Sequence, residues 1–372
     1  MEFSVKKFDL LRELQLVQGV VERKTTIPIL ANLLVEVKKD QLWIAATDLE
    51  IGIRTVLPAK VKKEGAGTIA ARRLFEIVRT LPDAEIKFKG LENNWVELRC
   101  ARSRFKLVGM ARENFPALPD FPHPLVKIPT AILATLIAKT SFAISMEESR
   151  YTLNGALLQL KPDSITMVAT DGLRLSHIET PHRFNGLNTE VRVLVPKKAM
   201  TEVERLLKEV EDKEEVQFAR DDSHLFFKVG ERLLISRLLS GQFPNYEAVL
   251  PRENKSTVVL ERDLVASAIK RADLVADQRS HAIRMALDKN KVEIFASSAE
   301  YGEAHEELIP PKPYDGEAMQ IGFNATYLLD FLSAAAAGPI SFEFKDDQTA
   351  GQMRPLGEEG YKYRYVVMPM RL

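Results

Sequence analysis

The stretch LWIAATD at residues 42–48 decides the fold, because two related stretches follow it at nearly equal distances. They are ITMVATD at residues 165–171 and VEIFASS at residues 292–298. Each is an apolar run of strand length that carries a small hydroxyl residue near its end. These hydroxyl residues are Thr47, Thr170 and Ser297. Their separations of 123 and 127 positions indicate a long internal repeat that occurs three times.

The segments around these strands repeat as well. An amphipathic helix is predicted before each strand, with apolar residues at steps of three or four. Its apolar positions are Leu10, Leu14, Val17 and Val21 in the first copy, Ile132, Leu133, Leu136 and Ile137 in the second, and Leu264, Val265, Ala268, Ile269 and Ala272 in the third. A second helix is predicted after each strand, over residues 71–81, 197–208 and 324–334. Alternating strands follow each second helix.

Proline-containing joints have the same period. FPALP at residues 115–119 and FPNY at residues 243–246 begin 128 positions apart, and turns of this type suit domain boundaries. The sequence therefore predicts an α+β protein of three tandem similar domains, each with two helices packed on antiparallel sheet. The predicted boundaries are residues 1–120, 126–250 and 251–372.

The composition is that of an ordinary globular protein, with 45% hydrophobic and 28% charged residues. The single cysteine, Cys100, excludes an internal disulfide and fits a reducing cytoplasm. No apolar run reaches membrane-spanning length, and the first residues lack a signal-peptide stretch. We therefore expect a cytoplasmic protein without a membrane partner.

The net charge of zero conceals an uneven distribution of charge along the chain. Residues 1–120 contain 21 Lys and Arg against 16 Asp and Glu, a net of +5. Residues 121–250 contain 16 against 17, a net of −1, and residues 251–372 contain 15 against 19, a net of −4. A basic start and an acidic end favour head-to-tail pairing of two copies, although charge also varies along chains without function.

Motifs for catalysis are weak in this sequence. GAGTIA at residues 65–70 fits a loose dinucleotide fingerprint, but a charged segment precedes it rather than a buried strand. His305 begins the segment HEELI, which lacks the second histidine of a zinc-protease helix. Asp48 and Asp171 could serve a metal-dependent hydrolase, but each follows a strand in a repeated turn, where capping is the usual role. We expect no enzyme activity and no cofactor or metal.

Five short segments make the chain resemble the bacterial beta sliding clamps along its full length. They are TIPIL at residues 26–30, RYTLNG at 150–155, ATDG at 169–172, FPNY at 243–246 and YVVMPMRL at 365–372. The resemblance implies that two three-domain subunits pair head-to-tail into a ring around duplex DNA, with helices lining the hole. It also implies a processivity factor for a replicative polymerase rather than an enzyme. A non-DNA scaffold with the same fold is the alternative within this class.

The resemblance implies DNA contacts without sequence preference, since weak phosphate contacts permit sliding. Lys24 and Arg72 match family positions for such contacts. Further cations on the helices are Lys139, Lys197 and Lys198, and the loop that resembles a DNA-touching segment consists of Arg150, Tyr151 and Thr152. Thr152 stands where an aromatic residue is frequent, and Glu147 stands where a neutral donor would suit phosphate better.

The resemblance also implies an apolar cleft that binds short peptides of the polymerase, the clamp loader and repair proteins. Its residues are Leu153, Thr170, Gly172, Leu173, Leu175, Pro244, Val249, Val366, Met368, Pro369, Met370 and Arg371. Methionine suits a shared site because its flexible thioether adapts to several ligands. Leu173 and Ala248 replace the histidine and arginine of many relatives, so the rim is more apolar here. The tail could equally be a final core strand, and the two roles are compatible.

The subunit contact implied by the resemblance joins the two ends of the chain. Leu274, Val275, Glu303, Glu306 and Glu307 of one copy face three residues of the other copy's first domain. Those three residues are Arg73, Phe105 and Leu107. The opposite net charges of the terminal domains favour the same pairing.

Overall fold

A computed structural model describes residues 1–22, 26–210, 214–251, 254–357 and 360–371. The chain divides into two compact units, each assembled from non-contiguous segments. The first unit contains residues 1–131 and 198–238, and the second contains residues 132–197 and 239–372.

The described part of the first repeat opens with a strand that runs directly into a helix. Its elements are β1 (Glu2–Lys6), α1 (Lys7–Val17), β2 (Asn32–Lys38), β3 (Gln41–Thr47), β4 (Ile51–Pro58), β5 (Lys60–Lys63), β6 (Gly65–Ala70), α2 (Ala71–Thr80), β7 (Glu85–Gly90), β8 (Trp95–Cys100) and β9 (Ser103–Val108). The stretch that defines the repeat is β3, as predicted. Helix α1 ends at Val17, so the prediction that Val21 continues this helix was wrong.

The described part of the second repeat follows the same order. Its elements are β10 (Val126–Pro129), α3 (Thr130–Ala138), β11 (Gly155–Lys161), β12 (Ser164–Thr170), β13 (Arg174–Pro181), β14 (Val191–Pro196), α4 (Lys197–Leu207), β15 (Glu215–Arg220), β16 (His224–Val229) and β17 (Arg232–Arg237). Both helices lie where the apolar pattern predicted them.

The described part of the third repeat again places two helices after strands. Its elements are β18 (Ser256–Glu261), α5 (Arg262–Asp273), β19 (Ala282–Asp288), β20 (Lys291–Ser298), β21 (Gly302–Leu308), β22 (Met319–Asn324), α6 (Ala325–Ala334), β23 (Pro339–Phe344), β24 (Gly351–Pro355) and β25 (Lys362–Val367). Asn324 caps α6, since its side chain accepts a hydrogen bond of 3.2 Å from the Tyr327 amide.

The antiparallel sheets extend across the repeat boundaries. In the first unit, one sheet has the order β5-β1-β7-β8-β9 and another the order β10-β15-β16-β17-β4-β3-β2-β6. In the second unit, the orders are β14-β11-β12-β13-β25-β24-β23-β18 and β21-β20-β19-β22. Strands of different repeats therefore share one hydrogen-bonded ladder, which the repeat pattern alone did not predict.

The two joints between repeats use the same register. In the first unit, β17 pairs with β4, with Ile235 opposite Gly52. In the second unit, β25 pairs with β13, with Val366 opposite Leu175. Each joint thus pairs the last strand of one repeat with the strand after the Thr-Asp turn of the repeat before it.

A buried ion pair reinforces the joint of the first unit. Arg232 of β17 donates to the carboxylate of Glu13 in α1 at 3.0 and 2.6 Å, and Thr55 of β4 donates to it at 2.6 Å. Burial alone would raise the pKa of Glu13, but the hydrogen bonds from Arg232 and Thr55 hold this pKa below its ordinary value. A buried charge needs such partners, and here they come from both repeats.

Candidate functional sites

Each Thr-Asp pair at a strand end closes a turn with its own side chains. The Thr170 hydroxyl donates to the Arg174 carbonyl at 2.6 Å, and the Asp171 carboxylate accepts from the amides of Leu173 and Arg174 at 2.9 and 3.0 Å. Asp48 accepts from its own turn in the same way, at 2.9 and 2.7 Å. Both aspartates therefore cap turns, which is the structural role that the sequence favoured over metal binding.

Arg174 fixes this turn to the rest of the second unit, and sequence reasoning missed it. Its guanidinium pairs with Asp171 at 3.0 Å and with Asp330 of α6 at 2.5 Å, and donates to the Phe142 carbonyl at 2.8 Å. Its carbon Cζ lies 4.3 Å from the centre of the Tyr327 ring. Burial alone would lower the pKa of Arg174, but the surrounding Tyr365, Asp330 and Asp171 raise it above its usual range. In the sequence, the signal for this role was the position of Arg174, a basic residue three positions after Asp171.

The C-terminal tail is a core strand up to Val367 and a surface segment beyond it. Tyr363, Tyr365 and Val367 are buried, and the Tyr365 hydroxyl donates to the Tyr327 carbonyl at 2.8 Å. After the strand, the Met368 amide donates to the Leu173 carbonyl and the Met370 amide to the Gly322 carbonyl, both at 2.8 Å. Backbone hydrogen bonds thus hold the methionines in place while their side chains stay partly exposed.

An apolar cluster lies under this tail. Its buried members are Leu157, Val168, Leu175, Leu194, Tyr246 and Val366. Phe243, Leu239, Leu250 and Ala350 pack against it from the partly exposed side. The Tyr246 hydroxyl donates to the Gln159 side chain at 2.9 Å, which satisfies its polar end inside the cluster.

Several residues predicted for the cleft meet at this cluster. Leu175 and Val366 pack in it, and Met368 is hydrogen bonded to Leu173 at its edge. Leu173 is 53% exposed and Met368 41% exposed, so both present apolar surface to solvent. Pro244 and Val249 are exposed on either side of Tyr246. Leu153 and Pro369 are half-buried and Arg371 is exposed, without a cluster contact that fixes their role.

The predicted DNA loop adjoins the same turn. Arg150 donates to the Asp171 carbonyl at 2.8 Å and pairs with Glu147 at 2.9 Å. Gly172 has a φ of +93°, and a Cβ there would lie 2.9 Å from the Arg150 guanidinium. Tyr151 is exposed and Thr152 half-buried. The positive φ favours glycine at position 172, whereas the flexible Arg150 side chain could move away from a Cβ there.

Two of the remaining predicted DNA-binding cations, Arg72 and Lys198, are ion-paired. Arg72 and Arg73 of α2 pair with Glu76 at 2.9 Å each, and their hydrogen bonds lower the pKa of Glu76. Lys198 pairs with Asp48. Burial, followed by repulsion from Arg174, lowers the pKa of Lys197. A phosphate would have to compete with these carboxylates for Arg72 and Lys198.

The prediction for Lys139 does not fit the structure. This side chain is 7% exposed, and its Nζ donates to the Ala334 carbonyl at 3.0 Å. The rings of Tyr361 and Tyr363 each lie 4.9 Å from the Nζ atom. A cation held in this way cannot reach a phosphate, so Lys139 is a structural cation. Lys24 lies outside the described residues.

Five of the eight residues predicted for subunit contact lie on two sheet edges. Phe105 and Leu107 belong to β9, the last strand of its sheet, and Glu303, Glu306 and Glu307 belong to β21, an edge strand of another sheet. Arg271 of α5 pairs with Glu306 at 2.8 Å. Leu274 is 77% exposed directly after α5, and Val275 is half-buried.

Features of the enzymatic alternatives take other roles in the structure. GAGTIA forms β6, which pairs with β2 in an antiparallel ladder and opens no phosphate-binding turn. Across the described residues, no group of three or more His, Cys, Asp and Glu side chains is placed to share a metal ion. None of the helices in the described segments is long and apolar enough to cross a membrane.

The fold and these sites define a class of protein, the DNA clamps, in which tandem α+β repeats share antiparallel sheets. Three family models match in tandem: the DNA polymerase III beta subunit N-terminal domain at residues 1–119, its central domain at 127–245 and its C-terminal domain at 247–371. The chain belongs to the DNA polymerase III beta subunit family, the bacterial beta sliding clamps.

Relatives and solved structures match over their whole lengths. The beta sliding clamp of Pseudomonas aeruginosa is 34% identical over 375 residues, which is 100% of both chains. A crystal structure of the DNA polymerase III subunit beta from the same species has a TM-score of 0.93 and covers 100% of both chains. The sliding clamp of Bacillus subtilis is 26% identical and also has a TM-score of 0.93, covering 100% of this chain and 99% of its own.

The buried His177 beside the cleft should make stability depend on pH. Burial, reinforced by Arg364, lowers the pKa of His177 to about 4, whereas an unfolded histidine titrates near 6.5. Between these values the unfolded chain binds more protons, so the free energy of unfolding should fall as the pH drops from about 6.5 to about 4, by about 3 kcal/mol in total.

Urea denaturation across this pH range measures the effect. In His177→Gln, the free energy of unfolding should change less over this pH range. The control His123→Gln, at an exposed histidine, should show the same pH dependence as the parent. If the free energy of unfolding had the same pH dependence in the parent and in His177→Gln, His177 would not be its source.

Proposed function

We propose that this chain is the DNA sliding clamp of a bacterial replicative polymerase. Two copies would close head-to-tail into a ring that encircles duplex DNA and docks partner proteins through the apolar cleft. The ring would act without catalysis and without a cofactor, in the cytoplasm where the chromosome lies. The observation that carries this proposal is the pair of unpaired, oppositely charged sheet edges in a chain that belongs to the clamp family throughout its length.

The two edges are complementary in charge and in backbone. Strand β9 carries Lys106 and also Arg104, whose guanidinium is paired with Glu97, while β21 carries the exposed carboxylates of Glu303 and Glu307. Both strands are long enough for a ladder, and an unpaired edge strand offers free amides and carbonyls to a partner. Since the two edges differ, β9 of one copy would pair with β21 of the other copy. Such a contact is heterologous. Two such contacts close a dimeric ring.

Apolar contacts would accompany this ladder. Phe105 and Leu107 are half-buried on β9, and Leu274 is almost fully exposed after α5. Glu306 is already paired with Arg271, and Arg73 with Glu76, so Glu303 and Glu307 are the carboxylates that we expect to face the partner. Sequence resemblance put Phe105, Leu107, Glu303 and Glu307 on the interface, and the edge positions of β9 and β21 support this proposal for all four.

Disrupting the apolar contact should separate the subunits. Leu274→Asp should give monomers in light scattering at low micromolar concentration, because it would place a charge in an apolar contact. Since Leu274 is 77% exposed, the variant should fold normally. The matched control is Leu264→Asp, a 62% exposed leucine on α5. A dimeric Leu274→Asp, or dissociation by both variants alike, would rule out this interface.

A ring that slides along DNA needs weak and exchangeable contacts to it. We propose that Lys24, Arg72, Lys197, Lys198 and the loop from Arg150 to Thr152 contact phosphates. Ion pairs such as Arg72 with Glu76 and Arg150 with Glu147 compete with phosphate and reduce the gain from each contact. Contacts of this strength favour a phosphate backbone without fixing the ring at one position.

We propose the apolar cluster and the tail beyond Val367 as the docking cleft for the polymerase, the clamp loader and repair proteins. Leu173, Val249 and Met368 expose apolar surface around the buried Leu175 and Val366. Burying one large apolar anchor contributes roughly 1.5–3 kcal/mol, so two anchors contribute roughly 3–6 kcal/mol. Further contacts of the peptide would have to supply the rest of the roughly 8 kcal/mol that a Kd near 1 μM requires. Affinity in that range allows partners to exchange on one ring.

Truncating one tail methionine should weaken peptide binding without unfolding the tail. Met370→Ala should reduce affinity for a peptide with a Leu-Phe anchor by roughly 1–2 kcal/mol through lost apolar contact. The Met370 amide keeps its hydrogen bond to Gly322, so the melting temperature should hardly change. Isothermal titration and thermal melting of the same samples measure both quantities.

The exposed Met146 supplies the control for this experiment, since Met146→Ala removes the same groups at a position outside the predicted cleft. Wild-type affinity in Met370→Ala would remove this residue from the cleft. A fall in melting temperature with unchanged affinity would show that Met370 serves only the fold.

A further inference from the structure

The outer face of the five-stranded sheet is strongly basic. Alternation along β1, β5, β7, β8 and β9 buries one set of side chains and leaves the other set on one face. Basic residues on this face are Lys6, Lys60, Lys62, Lys87, Lys89, Arg99, Arg104 and Lys106. The acidic residues there are Glu2, Glu85 and Glu97. Much of the positive charge of the first repeat therefore lies on a sheet surface rather than on its helices.

The acidic residues neutralise only part of this charge. Glu97 accepts from both Arg99 and Arg104, and the Arg99 hydrogen bond lowers the pKa of Glu97, so this carboxylate stays ionised. Glu2 pairs with Lys62 at 2.8 Å and Glu85 with Lys60 at 2.9 Å.

Two central lysines remain without a carboxylate. Among the described residues, no carboxylate lies within ion-pair distance of Lys87 or Lys89 on β7, the central strand of the sheet. Both side chains are exposed. This face therefore keeps an uncompensated positive centre that internal ion pairs do not explain.

These lysines line a groove of about 610 Å³. Its other cations are Lys60, Lys62 and Arg99, and the stacked rings of Phe3 and Phe88, 4.8 Å apart, lie beneath it. Lys87 and Lys89 are two residues apart on one strand, so their side chains emerge about 6.8 Å apart on the same face. The separation of the two side chains is about twice the 3.4 Å rise between phosphates in a stacked strand. It therefore matches a strand whose phosphates are spread apart by extension.

An aromatic side chain shares this face. Trp95 lies on β8, two residues before Glu97, and is 40% exposed. A surface that only attracts acidic side chains has no need of an exposed indole, whereas a single nucleic-acid strand uses both features. Cations contact its phosphates and an aromatic ring stacks on a base. Duplex DNA keeps its bases stacked inside and cannot use Trp95 in this way.

We propose that the outer face of the five-stranded sheet binds single-stranded nucleic acid. Lys87 and Lys89 contact successive phosphates, and Trp95, two residues before Glu97 on the neighbouring strand, stacks on a base. This site is separate from the helices assigned to the duplex and from the apolar cleft. A protein on duplex DNA would thereby hold a second, unpaired strand against its outer surface.

Tryptophan fluorescence can report this binding directly, since the chain contains only Trp43 and Trp95. In a Trp43→Phe background, a dT12 oligonucleotide should quench the fluorescence of Trp95. Adding Lys87→Ala and Lys89→Ala should weaken binding at least fivefold. Each lost phosphate contact lowers the slope of log K against log salt by about 0.7, so this double substitution should lower it by about 1.4. The matched control is the pair Lys289→Ala and Lys312→Ala, two exposed lysines of the third repeat.

Trp95 is tested by fluorescence anisotropy of a labelled dT12. Trp95→Ala should weaken binding without changing the salt slope, and Trp95→Phe should restore most of it. Light scattering should show every variant in the parent's oligomeric state. Wild-type affinity in the double lysine variant would overturn the proposal. So would equal binding of a twelve-base-pair duplex that is insensitive to Trp95→Ala, or equal competition by poly-glutamate, which would indicate a general polyanion face or an acidic protein partner.

Discussion

The backbone ladders between repeats are the interactions on which the rest of the structure depends. Strand β17 joins β4 and strand β25 joins β13, with equivalent residues opposite each other. Each ladder hides two strand edges that would otherwise need protection, and side-chain alternation makes a one-residue slip costly because it would turn buried residues outward. The register therefore fixes which side chains of two distant segments meet. It also leaves β9 and β21 as edge strands of their sheets in the described part of the chain.

The same joint serves different purposes in the two units. In the second unit it brings Val366 over Leu175, and the chain continues into the apolar Met368. In the first unit the position of Leu175 is Gly52, and Leu118 packs against it, with a cavity of only about 130 Å³ beside them. Arg237 takes the place of Met368 there, since its amide donates to the Glu50 carbonyl as the Met368 amide does to Leu173. The second joint therefore exposes the apolar side chains of Leu173 and Met368, whereas Leu118 fills the first joint.

Local pattern was sufficient to predict the helices, the repeated strand and the capped turns. Helices α2, α4 and α6 were predicted after the repeated strand to within one residue of their observed bounds. The Thr-Asp pairs were assigned to turns because such side chains satisfy nearby amides. The alternation of Tyr363, Tyr365 and Val367 likewise predicted a core strand. These features depend on neighbours in sequence, which a single chain displays.

Contacts between residues far apart in the chain could not be predicted from the sequence. The local pattern predicts an exposed Lys139, yet the Ala334 carbonyl and the rings of Tyr361 and Tyr363, 195 to 224 positions along the chain, enclose it. The shared sheets and the link from Arg150 to the Asp171 turn have the same origin, since they require knowing which strands are neighbours. The basic sheet face was visible only as an excess of charge in the first 120 residues, without a location.

The central claim is that this protein holds DNA by encircling it, and topology tests that claim most directly. The protein would be loaded onto a nicked circular plasmid by a clamp loader and isolated by gel filtration, and the plasmid then cut once with a restriction enzyme. The account predicts that protein stays with the circle at salt concentrations that abolish ordinary phosphate binding, and leaves within minutes of linearisation by sliding off the ends. Equal retention on circular and linear DNA, or loss from both at the same salt concentration, would contradict it.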